Sequence, residues 1–109
     1  MSLDESRFAI LALKELQDLA ALLEDALGED HEVDLEGGIL TLELESGAQF
    51  VINQHAPMRQ IWLSSPVSGA SHYAWDEGAQ NWKSTRGGTP LRDQLAADLK
   101  AKAGVNVAL

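Results

Sequence analysis

The sequence predicts an α+β fold, a two-layer sandwich with an N-terminal and a C-terminal helix packed on one face of an antiparallel β-sheet. Three observations predict it. Apolar residues recur at helical spacing over 4–27 and again after Pro90. Between those stretches lie short segments of period 2, broken by glycine- and proline-containing turns. At 109 residues the chain is long enough for one core and no more, so 1–109 is read as a single domain.

In residues 4–27, Phe8, Ala12, Leu16, Leu19, Leu23 and Ala26 share one stripe at about 100° per residue, with Lys14, Asp18, Ala21 and Asp25 opposite. Gly28 is the expected stop. Residues 32–36 and 39–45 alternate, either as a strand pair or as one strand bulged at Gly37-Gly38. Leu40, Leu42 and Leu44 are expected to face inward, and Thr41, Glu43 and Glu45 outward. Glu45-Ser46-Gly47-Ala48 turns the chain into a strand over 49–54, and further strands are expected near 59–64, 71–76 and 81–85. Thr89 and Pro90 supply an N-cap and a first-turn proline for a second helix, in which Leu91, Leu95 and Leu99 form the buried stripe as far as about residue 103. Gly104 closes it, and Val105, Val107 and Leu109 are expected to seal the core.

Composition narrows the chemistry. The absence of cysteine excludes disulfides, thiolate metal sites and thiol nucleophiles. No apolar run is long enough to span a membrane. The first residues lack a basic segment followed by an apolar stretch, so no signal or transit peptide is expected. The net charge of −9 is concentrated in the first half, where residues 1–46 carry 13 acids against Arg7 and Lys14. That field repels phosphate backbones and suits cations or a basic protein, so nucleic acid is not an expected partner.

The acids crowd most closely in "EDALGEDHEVDLE", residues 24–36, which holds seven carboxylates and no base. As a strand, this stretch would send Asp30, Glu32, Asp34 and Glu36 to one side, with Glu24 and Asp25 close by at the end of the helix. Crowded carboxylates repel one another and favour hard cations, although a solvated acidic rim is the plainer alternative. The spacing is not that of an EF-hand, because counting from Asp30 places Leu35 at the glycine position and Thr41 at the final glutamate. His31, His55 and His72 lack zinc-ligand spacing, though His31 sits among carboxylates and offers a nitrogen ligand. There is no serine–histidine–acid trio, phosphate-binding glycine loop or G-x-S-x-G elbow.

Trp62 raises a different question. In Gln60-Ile61-Trp62-Leu63-Ser64 the alternation buries Ile61 and Leu63 and sends Trp62 to the polar side, where Asn53, His55 and Gln60 also point and Arg59 lies nearby. Tryptophan and arginine are common interface anchors, so an uncovered Trp62 is a candidate docking residue. A covering loop of the same chain is the alternative.

The run "GGILTLELESGAQFVINQHAPMRQIWLSSPVSGASHYAW", followed by "NWKSTRGGTPLRDQLAADL", resembles the central sheet and second helix of the frataxin family, and the similarity covers roughly residues 5–103. The resemblance implies the same sandwich. It also implies an iron-binding protein that assists or regulates iron–sulfur cluster assembly by binding a cysteine desulfurase–scaffold complex. The family's acidic ridge falls on Glu24, Asp25, Glu29, Asp30, Glu32 and Asp34, with His31 among them. Its partner face falls on Asn53, Gln60 and Trp62, together with His55 and His72. Gly38 matches the family glycine that starts a strand. Iron, as Fe2+ or Fe3+, is expected to bind weakly and reversibly, and the chain to be monomeric or to oligomerise with iron. Ala20 and Ala21 stand where bacterial relatives carry acids, which lowers the expected capacity of the helix. The alternative function is a ferroxidase or iron store built on the acidic cluster, but the Glu-x-x-His pairs of di-iron oxidases are absent, so a non-enzymatic role leads. "QIWLSSPVSG" is closer to the mitochondrial type. The expected compartment is nevertheless the bacterial cytoplasm, or the mitochondrial matrix for a processed eukaryotic form.

Overall fold

The computed structural model describes residues 4–109. Helix α1 (Glu5–Leu27) opens with the Asp4 carboxylate accepting a hydrogen bond from the Arg7 amide at 2.8 Å, which satisfies one otherwise orphaned N–H of the first turn. A 3-10 turn (Gly28–Asp30) follows, then six strands: β1 (Glu32–Glu36), β2 (Ile39–Glu43), β3 (Gln49–His55), β4 (Gln60–Ser65), β5 (Gly69–Asp76) and β6 (Asn81–Ser84). Helix α2 (Leu91–Ala103) ends the regular structure. The strands form one antiparallel meander in chain order, so every connection is a hairpin. Gly37 and Gly38 both have positive φ, 60° and 80°, as a two-residue hairpin turn requires, and residues 32–43 are therefore a strand pair and not one bulged strand.

Both helices cover one face of the sheet, α1 over β1–β3 and α2 over β6. Phe8, Leu16, Leu19 and Leu23 of α1 and Leu91, Leu95 and Leu99 of α2 meet Leu40, Leu42, Phe50, Ile52, Ile61, Leu63, Tyr73 and Trp82 in a single buried cluster. The α1 stripe departs from expectation at its end. Leu27, four residues after Leu23, is buried, whereas Ala26 is exposed. At the start of α2, the extended Pro90 occupies the N-cap position, and the Thr89 hydroxyl donates to the Gln94 side chain at 2.8 Å in place of capping the helix. The tail behaves as the sequence suggests, with Val105, Val107 and Leu109 partly buried against the core.

Two carboxylates lie inside this layer. Glu15 of α1 accepts two hydrogen bonds from the Arg92 guanidinium, at 2.8 and 2.9 Å. Asp98 of α2, only 3% exposed, accepts from Ser68 Oγ at 2.5 Å and Gln94 Nε2 at 2.8 Å, tying α2 to the β4–β5 turn. A cleft of about 540 Å³ lies on this helical side beside the Glu15–Arg92 pair, away from the partner-face residues and the acidic ridge of the sequence reading.

Candidate functional site

With both helices on one side, the other sheet face is open. The registers place Glu32, Asp34 and Glu36 of β1 on it, opposite Glu43, Thr41 and Ile39 of β2. Ile39 pairs with Asn53, Asn53 with Trp62, and Trp62 with His72, so a row crosses five strands from Glu36 to His72. His55, Gln60, Ala74 and Lys83 form the adjacent row. The structure therefore gathers Asn53, His55, Gln60, Trp62 and His72 into one patch. The same face reaches the strand-borne acids at its β1 edge.

Trp62 is half-buried, and the described partners of its ring are His55, His72 and Gln60. Its indole stacks on the His55 ring at 3.8 Å between centroids and 8° between planes, and on the His72 ring at 4.3 Å and 11°. The two imidazoles come from the strands flanking β4, so they cover opposite faces of the indole. Its Nε1–H donates to Gln60 Oε1 at 2.9 Å. The indole thus presents an edge outward, and the intervening ring keeps the two histidines from chelating a common metal. Arg59, next to Gln60 in sequence, holds the adjoining turn. It takes φ 54° in the β3–β4 turn, and its guanidinium donates to the carbonyls of Ala56 and Pro57, at 3.0 and 3.4 Å. That turn is further held by the Met58 amide donating to His55 Nδ1 at 3.3 Å.

The acidic ridge is split over three local structures. Glu24 and Asp25 lie on the last turns of α1, Glu29 and Asp30 in the 3-10 turn, and Glu32 and Asp34 on β1. Asp30 therefore does not belong to the strand row, which consists of Glu32, Asp34 and Glu36. All six ridge acids are exposed, and among the described residues none of them forms a salt bridge. Glu32 also faces Glu43 directly across the β1–β2 ladder, a like-charge pair that raises the local energy. Glu36 belongs to the alternating strand acids but not to the ridge that the resemblance implies, and Glu43 was expected only to face outward. Strand alternation marks Glu36, but only the register reveals Glu43.

His31 is half-buried beside the ridge with Nδ1 3.0 Å from the Leu27 carbonyl. A carbonyl can only accept, so Nδ1 donates there, and Nε2 is the ring nitrogen left free of this contact. Among the described residues no three histidine, aspartate or glutamate side chains converge to a coordination-sized group. Ala20 is in the core and only Ala21 is on the helix surface.

At the opposite edge the Lys83 ammonium lies 3.3 Å from Asp76. The Ala79 amide first, and Lys83 second, hold the Asp76 carboxyl below its ordinary range. The positive charge at that edge is therefore locally matched, and the uncompensated charge lies along β1.

The fold is an α+β sandwich with one sheet face free of helices, an acidic edge and a stacked indole at its centre. The chain belongs to the frataxin family: residues 1–105 match the Frataxin-like domain. It is 36% identical over 110 residues to the iron–sulfur cluster assembly protein CyaY of Cupriavidus metallidurans, an alignment covering 98% of this chain and 96% of that one. Among solved structures it resembles the frataxin of Psychromonas ingrahamii, with a TM-score of 0.84, 28% identity and 96% of each chain covered. It also resembles a trimeric frataxin of the yeast Saccharomyces cerevisiae complexed with ferrous iron, with a TM-score of 0.59, 31% identity, and 93% of this chain and 87% of that one covered.

Proposed function

We propose that this chain assists or regulates iron–sulfur cluster assembly by docking on a cysteine desulfurase–scaffold complex, with iron as a weakly held cargo or signal. The observation that carries this reading is the half-buried His55–Trp62–His72 stack sharing a sheet face with Glu32, Asp34 and Glu36. A half-buried aromatic with a fixed edge suits an interface anchor. The unpaired acids beside it suit attraction to a basic partner surface. The names of the relatives, iron–sulfur cluster assembly protein and frataxin, support the same pathway.

The ridge fits iron as cargo. Glu24, Asp25, Glu29, Asp30, Glu32 and Asp34 offer hard oxygen donors, with His31 Nε2 as the one nitrogen. Because no three of these groups converge, each ion would keep most of its water and bind one or two carboxylates, which gives affinity on the order of micromolar or weaker. That geometry does not favour the ferroxidase alternative, which needs ions held close together at a defined centre. The likeness to a trimeric ferrous complex supports iron-dependent assembly, which sizing under an iron load would test. The similarity to bacterial relatives supports a bacterial cytoplasmic setting.

The deciding experiment is cysteine desulfurase turnover and cluster formation on the scaffold, with this protein added, with and without Fe(II). The rate should change on addition, the change should depend on iron, and Trp62→Ala should abolish it. Equal rates with and without the protein would overturn the proposal.

A further inference from the structure

We propose that His55 and His72 are positioning residues for Trp62, forming a two-sided imidazole clamp that holds the indole ready for partner binding. This rests on the docking role given to Trp62 above. An unsupported tryptophan on an open sheet face samples several rotamers, and docking must then freeze them. Here the freezing is done in the free protein. Neighbouring strands lie about 4.8 Å apart, close to the thickness of a ring stack. Rings projecting from β3, β4 and β5 on one face therefore fall into contact, and they do so at 3.8 and 4.3 Å with planes within 8° and 11° of parallel.

The remaining freedom is removed at the nitrogen, where Nε1–H is held by Gln60 at 2.9 Å. The clamp is itself anchored, because His55 accepts the Met58 amide of the β3–β4 turn. Among the described residues, neither imidazole has a hydrogen bond to another side chain that draws it away from the stack. The partner then meets the edge of the indole, whose ring hydrogens are the positive end of the aromatic quadrupole, and the imidazoles act through Trp62.

Two measurements test this. In the free protein, the indole Nε1–H of Trp62 should have an order parameter near that of rigid backbone, about 0.85. In His55→Ala/His72→Ala it should fall below about 0.6, and in His55→Phe/His72→Phe it should stay high. In surface-capture kinetics on the purified desulfurase–scaffold complex, each alanine variant should dissociate about 2- to 10-fold faster, the range one aromatic stack supports. Each phenylalanine variant should restore the wild-type rate. In a Trp62→Ala background, the histidine substitutions should have no further effect. A histidine effect that persists at full size without Trp62, a failure of phenylalanine to rescue, or an order parameter unmoved by the double alanine variant would overturn the clamp. Trp62→Ala alone binding like wild type would instead overturn the docking role, a result that involves neither histidine.

Discussion

Arg92 of α2 and Glu15 of α1 form a two-point ion pair at 2.8 and 2.9 Å across the helix layer, 77 residues apart in sequence. The Glu15 side chain is 10% exposed and that of Arg92 32%, so the pair is sheltered but not sealed. Hydrogen bonding to Glu15 raises the Arg92 pKa above its already high ordinary value. Removing one partner leaves the other half-desolvated. Glu15→Ala should therefore destabilise the fold by about 1–3 kcal/mol in urea denaturation, less than a fully buried pair would lose. Glu15→Met with Arg92→Leu should recover most of that loss.

A second prediction concerns pH. Glu77 accepts from Arg7 and, at 2.5 Å, from Trp75 Nε1, and these bonds hold its carboxyl below the ordinary range, Arg7 contributing most. Asp76 is lowered as described above. A carboxyl depressed in the folded state stabilises above its unfolded pKa, and the contribution disappears as pH falls through its folded pKa. The difference in Tm between wild type and Asp76→Asn/Glu77→Gln should be greatest near pH 7 and shrink below about pH 4. A difference constant down to pH 2 would show that these carboxyls add no pH-dependent stability.

Trp62 and Leu63 are adjacent but face opposite sides of the sheet. Leu63 is 1% exposed, and Leu63→Ala should cost about 2–5 kcal/mol of stability. Trp62→Ala loses two stacks on an open face and should cost about 1–2 kcal/mol while weakening partner binding by about 2 kcal/mol or more. Denaturation and binding measured on both variants check the opposition.

Gly38 should not tolerate a side chain. A Cβ there would lie 2.8 Å from Gln54 Nε2 and 2.9 Å from Gln54 Cδ, and the backbone has φ +80°. Gly38→Ala should destabilise by about 1–3 kcal/mol, with Gln54→Ala relieving the steric part and leaving the backbone strain.

The exposed ridge should make stability depend on ions. Tm should rise with salt and with divalent cations, since both relieve repulsion among Glu24, Asp25, Glu29, Asp30, Glu32 and Asp34. Charge reversal at Asp30, Glu32 and Asp34 should slow association with the desulfurase complex and flatten its salt dependence, whereas Trp62→Ala should act on dissociation. Equal salt slopes for the reversed and wild-type proteins would remove the steering role.

The periodicities of the sequence determined the sandwich. A 3.6-residue repeat ending at a glycine makes a one-sided helix wherever it occurs, and strict alternation over Leu40, Leu42 and Leu44 gives a strand one buried face. The same alternation determined that Trp62 opposes Ile61 and Leu63, and composition alone placed the acid excess in the first half. These are local properties, written in residues that are neighbours along the chain. The tertiary structure decided what depends on residues that meet only after folding. Register set the His55–Trp62–His72 stack, since a one-residue slip of β5 would turn His72 inward. It also put Glu36 in the Trp62 row and Glu43 opposite Glu32. Packing chose Leu27 over Ala26, and it brought Glu15 to Arg92 across 77 residues. No spacing rule connects such distant positions, because their contact follows from how two helices settle on one sheet.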